Sequence, residues 1–239
     1  MGACQVPELL GDVEAALACI EDFAGQTDAL GADLLLFPEC FLQGYLLEGE
    51  HMRRHALDLH SPAFTAVLRR LAPIGQTLVF GVIEAHAGRY FNAAVIVARG
   101  ALVGVYRKTH LLPGESVFDA GDAYPTFEMR GVTFGINVCS DTQFAEAAAA
   151  VAAQGARLLL VPAQNMMRRD TAQRWKDEHH RIRTVRARET GMWLVSADVT
   201  GERGEHRIGY GPTSVINPHG EVVAQVPLLT TGIVIADVC

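Results

Sequence analysis

One apolar stretch, residues 131–141, constrains this chain more than any other, because it carries a cysteine where a strand gives way to a helix. Residues 132–138 are uncharged and rich in β-branched and aromatic side chains, which predicts a buried strand. Residues 142–154 are rich in alanine and other strong helix formers, which predicts a helix. Cys139 therefore lies at a strand-to-helix junction.

The position of Cys139 supports two interpretations. Ser140 and Gln143 have the spacing of a capping box at a helix N-terminus, and the positive end of a helix dipole favours a thiolate, the nucleophilic form of cysteine. The alternative is a packed thiol, because free cysteine is among the most buried residue types. This stretch by itself does not decide between them.

Composition restricts the classes of partner. The chain has 239 residues, 49% hydrophobic and 20% charged, which is enough to bury a large core. Its net charge is −7 and its pI is near 5.7. Nucleic acids and anionic membranes both require a concentrated basic face, so neither is expected as the main partner.

Cysteine usage and hydropathy indicate a cytoplasmic protein. The five cysteines are irregularly spaced and match neither a disulfide framework nor a zinc ligand set, so no metal is expected. We expect a reducing compartment for such a chain. The sequence predicts no membrane-spanning stretch and no signal peptide.

The order of predicted elements indicates two sheets covered by helices. We find no linker or repeat and expect a single domain over residues 1–239. Helices are predicted at residues 12–30, with Asp12 as N-cap, 62–72, 142–154 and 171–189. Strands are predicted at residues 33–37, 77–82, 91–98, 101–106, 132–138, 157–161, 192–196, 210–216, 221–226 and 231–236. Strand pairs mixed with strand–helix alternation are typical of a layered α/β fold.

Three chemically useful side chains each follow an apolar strand. These are Glu39, Lys108 and Cys139. Functional sites of layered α/β folds gather at such strand ends. A carboxylate base, a cation and a sulfur nucleophile suffice for acyl transfer through a thioester. The alternative for each is a surface charge or a packed thiol, although the chain has only two lysines, Lys108 and Lys176, against 18 arginines.

The segments that carry these residues resemble the motifs of the nitrilase superfamily of carbon–nitrogen hydrolases. Residues 31–39 (GADLLLFPE) resemble the motif that carries the carboxylate, 106–111 (YRKTHL) the one that carries the lysine, and 135–141 (GINVCSD) the one that carries the nucleophile. Weaker similarities include Gln5, residues 90–92, 155–162 and 186–191, and Gly220. The resemblance covers nearly the whole chain and points to the amidase and carbamoylase branch.

The resemblance implies a four-layer αββα sandwich with two mixed β-sheets. It also implies that Cys139 attacks an amide carbonyl while Glu39 transfers protons, and that Lys108 and the backbone N–H of Ser140 stabilise the oxyanion. Glu115 falls where amidase members carry a second glutamate. The alternative for Glu115 is a solvated loop carboxylate. No cofactor is implied.

Departures from the family pattern concern the pocket walls and the assembly. Ser140 replaces a common aromatic residue, and Gln143 and Ala145 replace an arginine and a proline. We assign Asp141 to the helix entrance, where a carboxylate suits the dipole. The chain ends soon after its last predicted strand, which weakens the case for dimerisation. A homodimer or larger homo-oligomer is still expected, with the helices at 142–154 and 171–189 as candidate contacts.

Several other side chains are candidates for substrate contact. Tyr45 and Trp175 are expected in the pocket or the core. Asn165 and Arg168 follow a predicted strand, and an arginine there suits a substrate carboxylate, although paired surface arginines are usually only solvated.

Two further features have simpler explanations. His179 and His180 point about 100° apart on a helix and cannot both bind one metal, so we expect one packed and one exposed. Cys40 is expected to face away from the site if Glu39 faces into it, because neighbours in an extended segment alternate.

Two functions are therefore compatible with the sequence. The favoured one is a thiol hydrolase of a small linear amide or N-carbamoyl compound. The alternative is a catalytically silent scaffold of the same fold that binds a metabolite or a partner protein.

Overall fold

The computed structural model describes residues 1–238. Within them the helices are α1 (Val13–Asp28), α2 (Gly49–His55), α3 (Pro62–Leu71), α4 (Ala145–Ala152), α5 (Arg169–Trp175) and α6 (Glu178–Thr190). The strands are β1 (Gly2–Pro7), β2 (Leu34–Leu36), β3 (Thr77–His86), β4 (Arg89–Ala98), β5 (Ala101–Arg107), β6 (Thr126–Met129), β7 (Val132–Ile136), β8 (Leu158–Pro162), β9 (Met167–Arg168), β10 (Trp193–Ala197), β11 (Val199–Arg203), β12 (Arg207–Tyr210), β13 (Ser214–Ile216), β14 (Val222–Gln225) and β15 (Gly232–Ile235). Short 3-10 turns span Pro113–Glu115 and Cys139–Gln143.

These strands form two mixed sheets. The first has the order β5-β4-β3-β2-β1-β11-β12-β9, and β15 also pairs with β1. The second has the order β14-β13-β10-β8-β7-β6. Both contain parallel and antiparallel neighbours: β1 and β2 are parallel, for example, and β6 and β7 are antiparallel.

Three apolar clusters hold four layers together. Between the sheets, Leu34, Leu36 and Tyr106 of the first sheet pack with Phe134 and Leu160 of the second. A second cluster joins the outer face of the first sheet to α1 and α3, and a third joins the outer face of the second sheet to α4 and α6. The predicted αββα sandwich is confirmed. None of the helices within residues 1–238 is long and apolar enough to cross a bilayer.

The N-terminus and the buried face of α1 both follow from the local sequence. Asp12 caps the helix, since its Oδ1 accepts the N–H of Ala15 at 2.9 Å. The buried face carries Leu17, Ile20 and Phe23 at helical spacing. This helix therefore packs as the sequence predicts.

Candidate active site

A buried lysine lies between two buried glutamates. Lys108 Nζ donates to Glu39 Oε1 at 2.8 Å and to Glu115 Oε1 at 2.7 Å. All three side chains are at most 1% exposed. Glu115 is therefore not the solvated loop carboxylate of the alternative interpretation, and water does not screen this ion cluster.

Asn92, on β4, holds the two carboxylates from the other side. Its Nδ2 donates to Glu39 Oε1 at 2.7 Å and to Glu115 Oε1 at 3.3 Å. Its Oδ1 accepts from the Cys40 thiol at 3.4 Å. Cys40 is absent from the lining of the active-site cavity, as expected. Its φ of +47° places it in a turn, however, so this orientation does not come from the alternation of an extended segment.

Close backbone packing fixes the Glu39 segment. Glu39 follows β2 and Pro38, and its N–H donates to the carbonyl of Ala163 at 3.3 Å. On the neighbouring strand β3, a Cβ added to Gly81 would lie 2.1 Å from the backbone nitrogen of Cys40. Only glycine lets the two backbones approach this closely. Close packing of the main chain therefore fixes the position of Glu39.

The turn that carries Cys139 differs from the prediction. Cys139 has a φ of +46° and begins the 3-10 turn, while α4 begins only at Ala145. The Ser140 hydroxyl donates to the carbonyl of His110 at 2.7 Å instead of capping a helix. The predicted capping box and the helix start at residue 142 are therefore wrong, because the Ser140 hydroxyl bonds to His110 and the backbone is extended at Phe144, directly before α4.

A single buried carboxylate, that of Asp141, organises the turn. It accepts the backbone N–H groups of Val138 at 2.8 Å, Thr109 at 3.2 Å and His110 at 2.8 Å. It also accepts the Tyr106 hydroxyl at 2.7 Å. Asp141 therefore ties the nucleophile turn to the loop after Lys108, a larger role than the helix entrance that the sequence suggested.

The electrostatics of the cluster favour a neutral thiol and a charged lysine. Burial raises the pKa of Cys139 well above its ordinary value, the Glu39 charge adds to this, and Lys108 only partly opposes it. The helix dipole that would favour a thiolate is also absent, because α4 begins only at Ala145. Burial disfavours the ammonium of Lys108, but Glu39 and the other nearby groups outweigh it and raise its pKa. Burial also raises the pKa of Glu39, which Lys108 opposes.

Glu39, Lys108 and Cys139 line one cavity of about 380 Å³. The cavity is also lined by Ser140 and by residues from several other parts of the chain. These are Tyr45, Leu112, Thr142, Gln143, Gln164, Asn165, Met166, Met167, Arg168, Thr171, Trp175, His179, Ile182, Arg183 and Arg207. The three strand-end residues thus face a common space large enough for a small organic ligand.

The predicted substrate-contact residues occupy different depths of this cavity. The Tyr45 hydroxyl donates to Glu115 Oε1 at 2.8 Å, close to the ion cluster. Asn165 is buried and accepts from the Cys139 thiol at 3.8 Å. Arg168 lies at the mouth, with its side chain 77% exposed and its Nε 3.9 Å from Asp170.

The histidine pair on α6 differs from the expectation of one packed and one exposed ring. His179 and His180 are both half-buried. His179 lies against Trp175, with ring centroids 5.5 Å apart. Burial lowers the pKa of His179 to about 3, so it is neutral near pH 7. Within residues 1–238, no group of three or more histidine, cysteine or acidic side chains is placed to hold a metal ion.

Sequence reasoning missed two polar residues of the site. In the sequence, Asn92 is only part of a weak motif at residues 90–92, and Asp198 belongs to no predicted motif. Asp198 is fully buried and accepts from both the backbone and the side chain of Asn165. An aspartate shortly after the apolar strand predicted at residues 192–196 was the available signal.

Comparison with known proteins agrees with this geometry. The chain is 30% identical over 210 residues to an (R)-stereoselective amidase from Pseudomonas sp, covering 87% of this chain and 72% of that protein. A mutant of the amidase from Nesterenkonia sp. AN1, solved with acrylamide added at its active-site cysteine, has a TM-score of 0.83 and 25% identity over 97% of this chain and 90% of its own.

A third comparison supports the fold alone. The glutamine-dependent NAD+ synthetase from Acinetobacter baumannii has a TM-score of 0.83 at 20% identity, and the match covers 98% of this chain but only 44% of that protein. The model of the carbon-nitrogen hydrolase family matches residues 1–239. The chain therefore belongs to the carbon-nitrogen hydrolase family, which confirms the resemblance to the nitrilase superfamily and the expectation of a hydrolase.

Proposed function

We propose that the protein hydrolyses the carbon–nitrogen bond of a small linear amide or N-carbamoyl compound through a thioester on Cys139. The observation that carries this proposal is the buried cluster in which Lys108 Nζ lies 2.8 Å from Glu39 and 2.7 Å from Glu115. Glu39 and Lys108 share a cavity with the Cys139 thiol. A base, a cation and a nucleophile that face one small cavity suit acyl transfer.

In the first half-reaction, Glu39 takes the thiol proton as the sulfur attacks the substrate carbonyl carbon. Because the pKa of Cys139 is raised, this base is required to form the thiolate. The oxyanion develops between Lys108 Nζ and the backbone N–H of Ser140. Glu39 then returns the proton to the departing nitrogen, the carbon–nitrogen bond breaks, and a thioester remains.

In the second half-reaction, Glu39 takes a proton from water as the water oxygen adds to the thioester carbonyl. The carbon–sulfur bond breaks and the proton returns to the sulfur, which restores the neutral thiol. The acyl group leaves as a carboxylic acid, or as a carbamic acid when the substrate is an N-carbamoyl compound. Glu115 holds Lys108 in place during both steps and helps to keep it charged.

Tyr45, Asn165 and Arg168 are the proposed substrate contacts. Tyr45 lies beside the ion cluster and Asn165 beside the nucleophile. Arg168 lies at the mouth, where a guanidinium suits a carboxylate at the far end of a linear substrate. This arrangement supports a substrate with a terminal amide or carbamoyl group and a distal anionic group.

The proposed assembly is a homodimer or larger homo-oligomer that uses α4 and α6. Phe144, an aromatic residue directly before α4, is 40% exposed, which supports a contact there. Light scattering coupled to size exclusion tests this, and a monomeric mass would contradict it. We also place the protein in a reducing cytoplasm, supported by the free thiols of Cys4, Cys19, Cys40 and Cys139.

Ammonia release from a panel of primary amides, ω-amides of dicarboxylic acids and N-carbamoyl amino acids tests the proposed reaction. The native protein is compared with Cys139→Ala and with the matched control Cys19→Ala, which alters a half-buried thiol on α1. We expect release with the native protein and the control, and none above background with Cys139→Ala. Intact mass should detect an acyl adduct on the native protein.

Two outcomes would overturn the proposal. Equal rates for the native protein and Cys139→Ala would remove the thiol mechanism. Absence of turnover over the whole panel, combined with measurable binding of a panel member, would favour the silent scaffold.

A further inference from the structure

A fixed hydrogen-bond acceptor lies beside the proposed nucleophile. Asn165 Oδ1 accepts from the Cys139 thiol at 3.8 Å, and Asn165 is only 4% exposed. Asn165 also lines the active-site cavity. Once Glu39 removes the thiol proton, this oxygen loses its donor and faces the substrate.

The orientation of the Asn165 amide follows from its partner. Asp198 Oδ1 accepts the backbone N–H groups of Asn165 at 3.0 Å and Val199 at 2.9 Å. Asp198 Oδ2 accepts from Asn165 Nδ2. An ionised carboxylate only accepts hydrogen bonds, so a flipped amide would set two oxygens against each other. The side-chain oxygen of Asn165, Oδ1, is therefore the atom that faces the thiol.

Arg183 of α6 supplies the counter-charge for Asp198. Its Nη2 lies 3.6 Å from Asp198 Oδ2, and both side chains are at most 3% exposed. Its Nη1 also donates to Ser196 Oγ at 3.0 Å and to the carbonyl of Pro212 at 2.9 Å. These bonds anchor the guanidinium to the second sheet and to the loop after β12. The charged pair is therefore rigid and well satisfied.

We propose that Asp198 and Arg183 are positioning residues that hold the Asn165 side-chain oxygen as a fixed acceptor, and that this acceptor selects substrates with an N–H or O–H donor on the acyl side of the reacting carbonyl. The inference rests on the proposed function, because the sulfur must bond to that carbonyl carbon. An atom attached to the carbonyl carbon then lies within reach of an oxygen beside the sulfur.

The donor requirement divides the proposed substrates. In an N-carbamoyl compound the ureido N–H is bonded directly to the reacting carbonyl carbon, and in an α-hydroxy amide the hydroxyl is one bond farther. In the proposed mechanism Glu39 engages the departing nitrogen of any amide, so the Asn165 side-chain oxygen serves the acyl side of the carbonyl. A plain alkyl amide offers only C–H groups on that side and leaves the buried Asn165 oxygen without a donor. Such a site disfavours the analogue that lacks the donor.

A pair of matched amides tests the inference. 2-Hydroxypropanamide and propanamide share one carbon skeleton and differ in a single hydroxyl. We expect the native protein to favour the hydroxy amide in kcat/KM, and the preference to fall by roughly fivefold to tenfold in Asn165→Leu and in Asp198→Asn, the range for one neutral hydrogen bond. Asp28→Asn, an exposed change on α1, should keep the native preference.

A second readout separates orientation from folding. The negative charge of Asp198 contributes to the raised pKa of Cys139. Asp198→Asn should therefore shift the midpoint of Cys139 alkylation by iodoacetamide to lower pH. Absence of this shift would show that the Asp198 charge does not act at the Cys139 thiol, and would contradict the placement of Asp198 behind Asn165.

The outcomes are distinguishable. If the native protein shows no preference for the hydroxyl, or if both variants slow both amides equally, the inference is wrong while the proposed function stands. If Asp198→Asn fails to fold by circular dichroism, the ratio in Asn165→Leu decides. If the native protein hydrolyses no amide of any kind, the proposed function fails and the inference falls with it.

Discussion

Replacing Lys108 by methionine removes the cation that lies between Glu39 and Glu115, the only one there among residues 1–238. Methionine keeps most of the side-chain volume, so the change is mainly electrostatic. The variant would bury two carboxylates that are at most 2% exposed and whose Oε1 atoms both lay within 2.8 Å of the lost ammonium. Two buried carboxyl groups this close together cannot both be ionised, so the folded variant takes up one proton.

The cost of that proton sets the expected destabilisation. Protonating an ordinary glutamate, with a pKa of about 4.3, costs about 4 kcal/mol at pH 7 and about 1 kcal/mol at pH 5. The folded variant binds one more proton than the unfolded chain over this range. Stability therefore falls as pH rises, by about 1.4 kcal/mol per pH unit relative to the native protein.

Urea unfolding followed by tryptophan fluorescence at pH 5, 6 and 7 measures this difference in the free energy of unfolding. Lys176→Met is the matched control, since the other lysine is half-buried and its ammonium lies 5.7 Å from the Tyr210 ring centroid. The control should lose about 1 kcal/mol or less, with no dependence on pH. A Lys108→Met loss that does not change between pH 5 and 7 would refute the picture of two carboxylates held by one shared cation.

Three further predictions follow from the site. Because burial raises the pKa of Glu39, kcat/KM should rise with pH through a midpoint above about 4.5, and a pH–rate profile with a midpoint below that value would contradict its role as base. Asp141→Asn replaces one accepting oxygen by an NH2 group that faces at least two donors, either Tyr106 and Val138 at Oδ2 or Thr109 and His110 at Oδ1. Urea unfolding should therefore show a loss of about 3 kcal/mol or more, whereas a loss under about 1 kcal/mol would rule out the clamp. Gly81→Ala forces the Glu39 segment to move and should lower kcat by about 100-fold; Gly75→Ala, which meets open space, is the control, and equal rates for the two variants would exclude this effect.

Strand periodicity predicted much of the framework because it depends on local sequence. The apolar runs at β2, β5 and β7 end where Glu39, Lys108 and Cys139 begin their loops, so their convergence followed from the layered fold. The cap at Asp12 and the helix α1 likewise follow from local spacing.

Elements defined by distant partners were not predictable in this way. The predicted helix at 171–189 is two helices, α5 and α6, separated by a turn at residues 176–177, and α5 packs on β12. β11 is polar and edge-like in sequence, yet it pairs with β1. The roles of Asn92 and Asp198 depend on partners 53 and 33 residues away in the chain. Hydrogen-bond partners at that separation leave no periodic signal.

The central strand β1 has a consequence for how the chain folds. Residues 2–5 of β1 pair with residues 232–235 of β15, while β2 pairs along the other edge of the same strand. The sheet that supports Glu39 therefore closes only after residues 232–235 have emerged from the ribosome. Such long-range pairing slows folding and leaves strand edges uncovered during synthesis. Maturation of this site therefore waits for the synthesis of residues 232–235, although Glu39, Lys108 and Cys139 all lie in earlier segments of the chain.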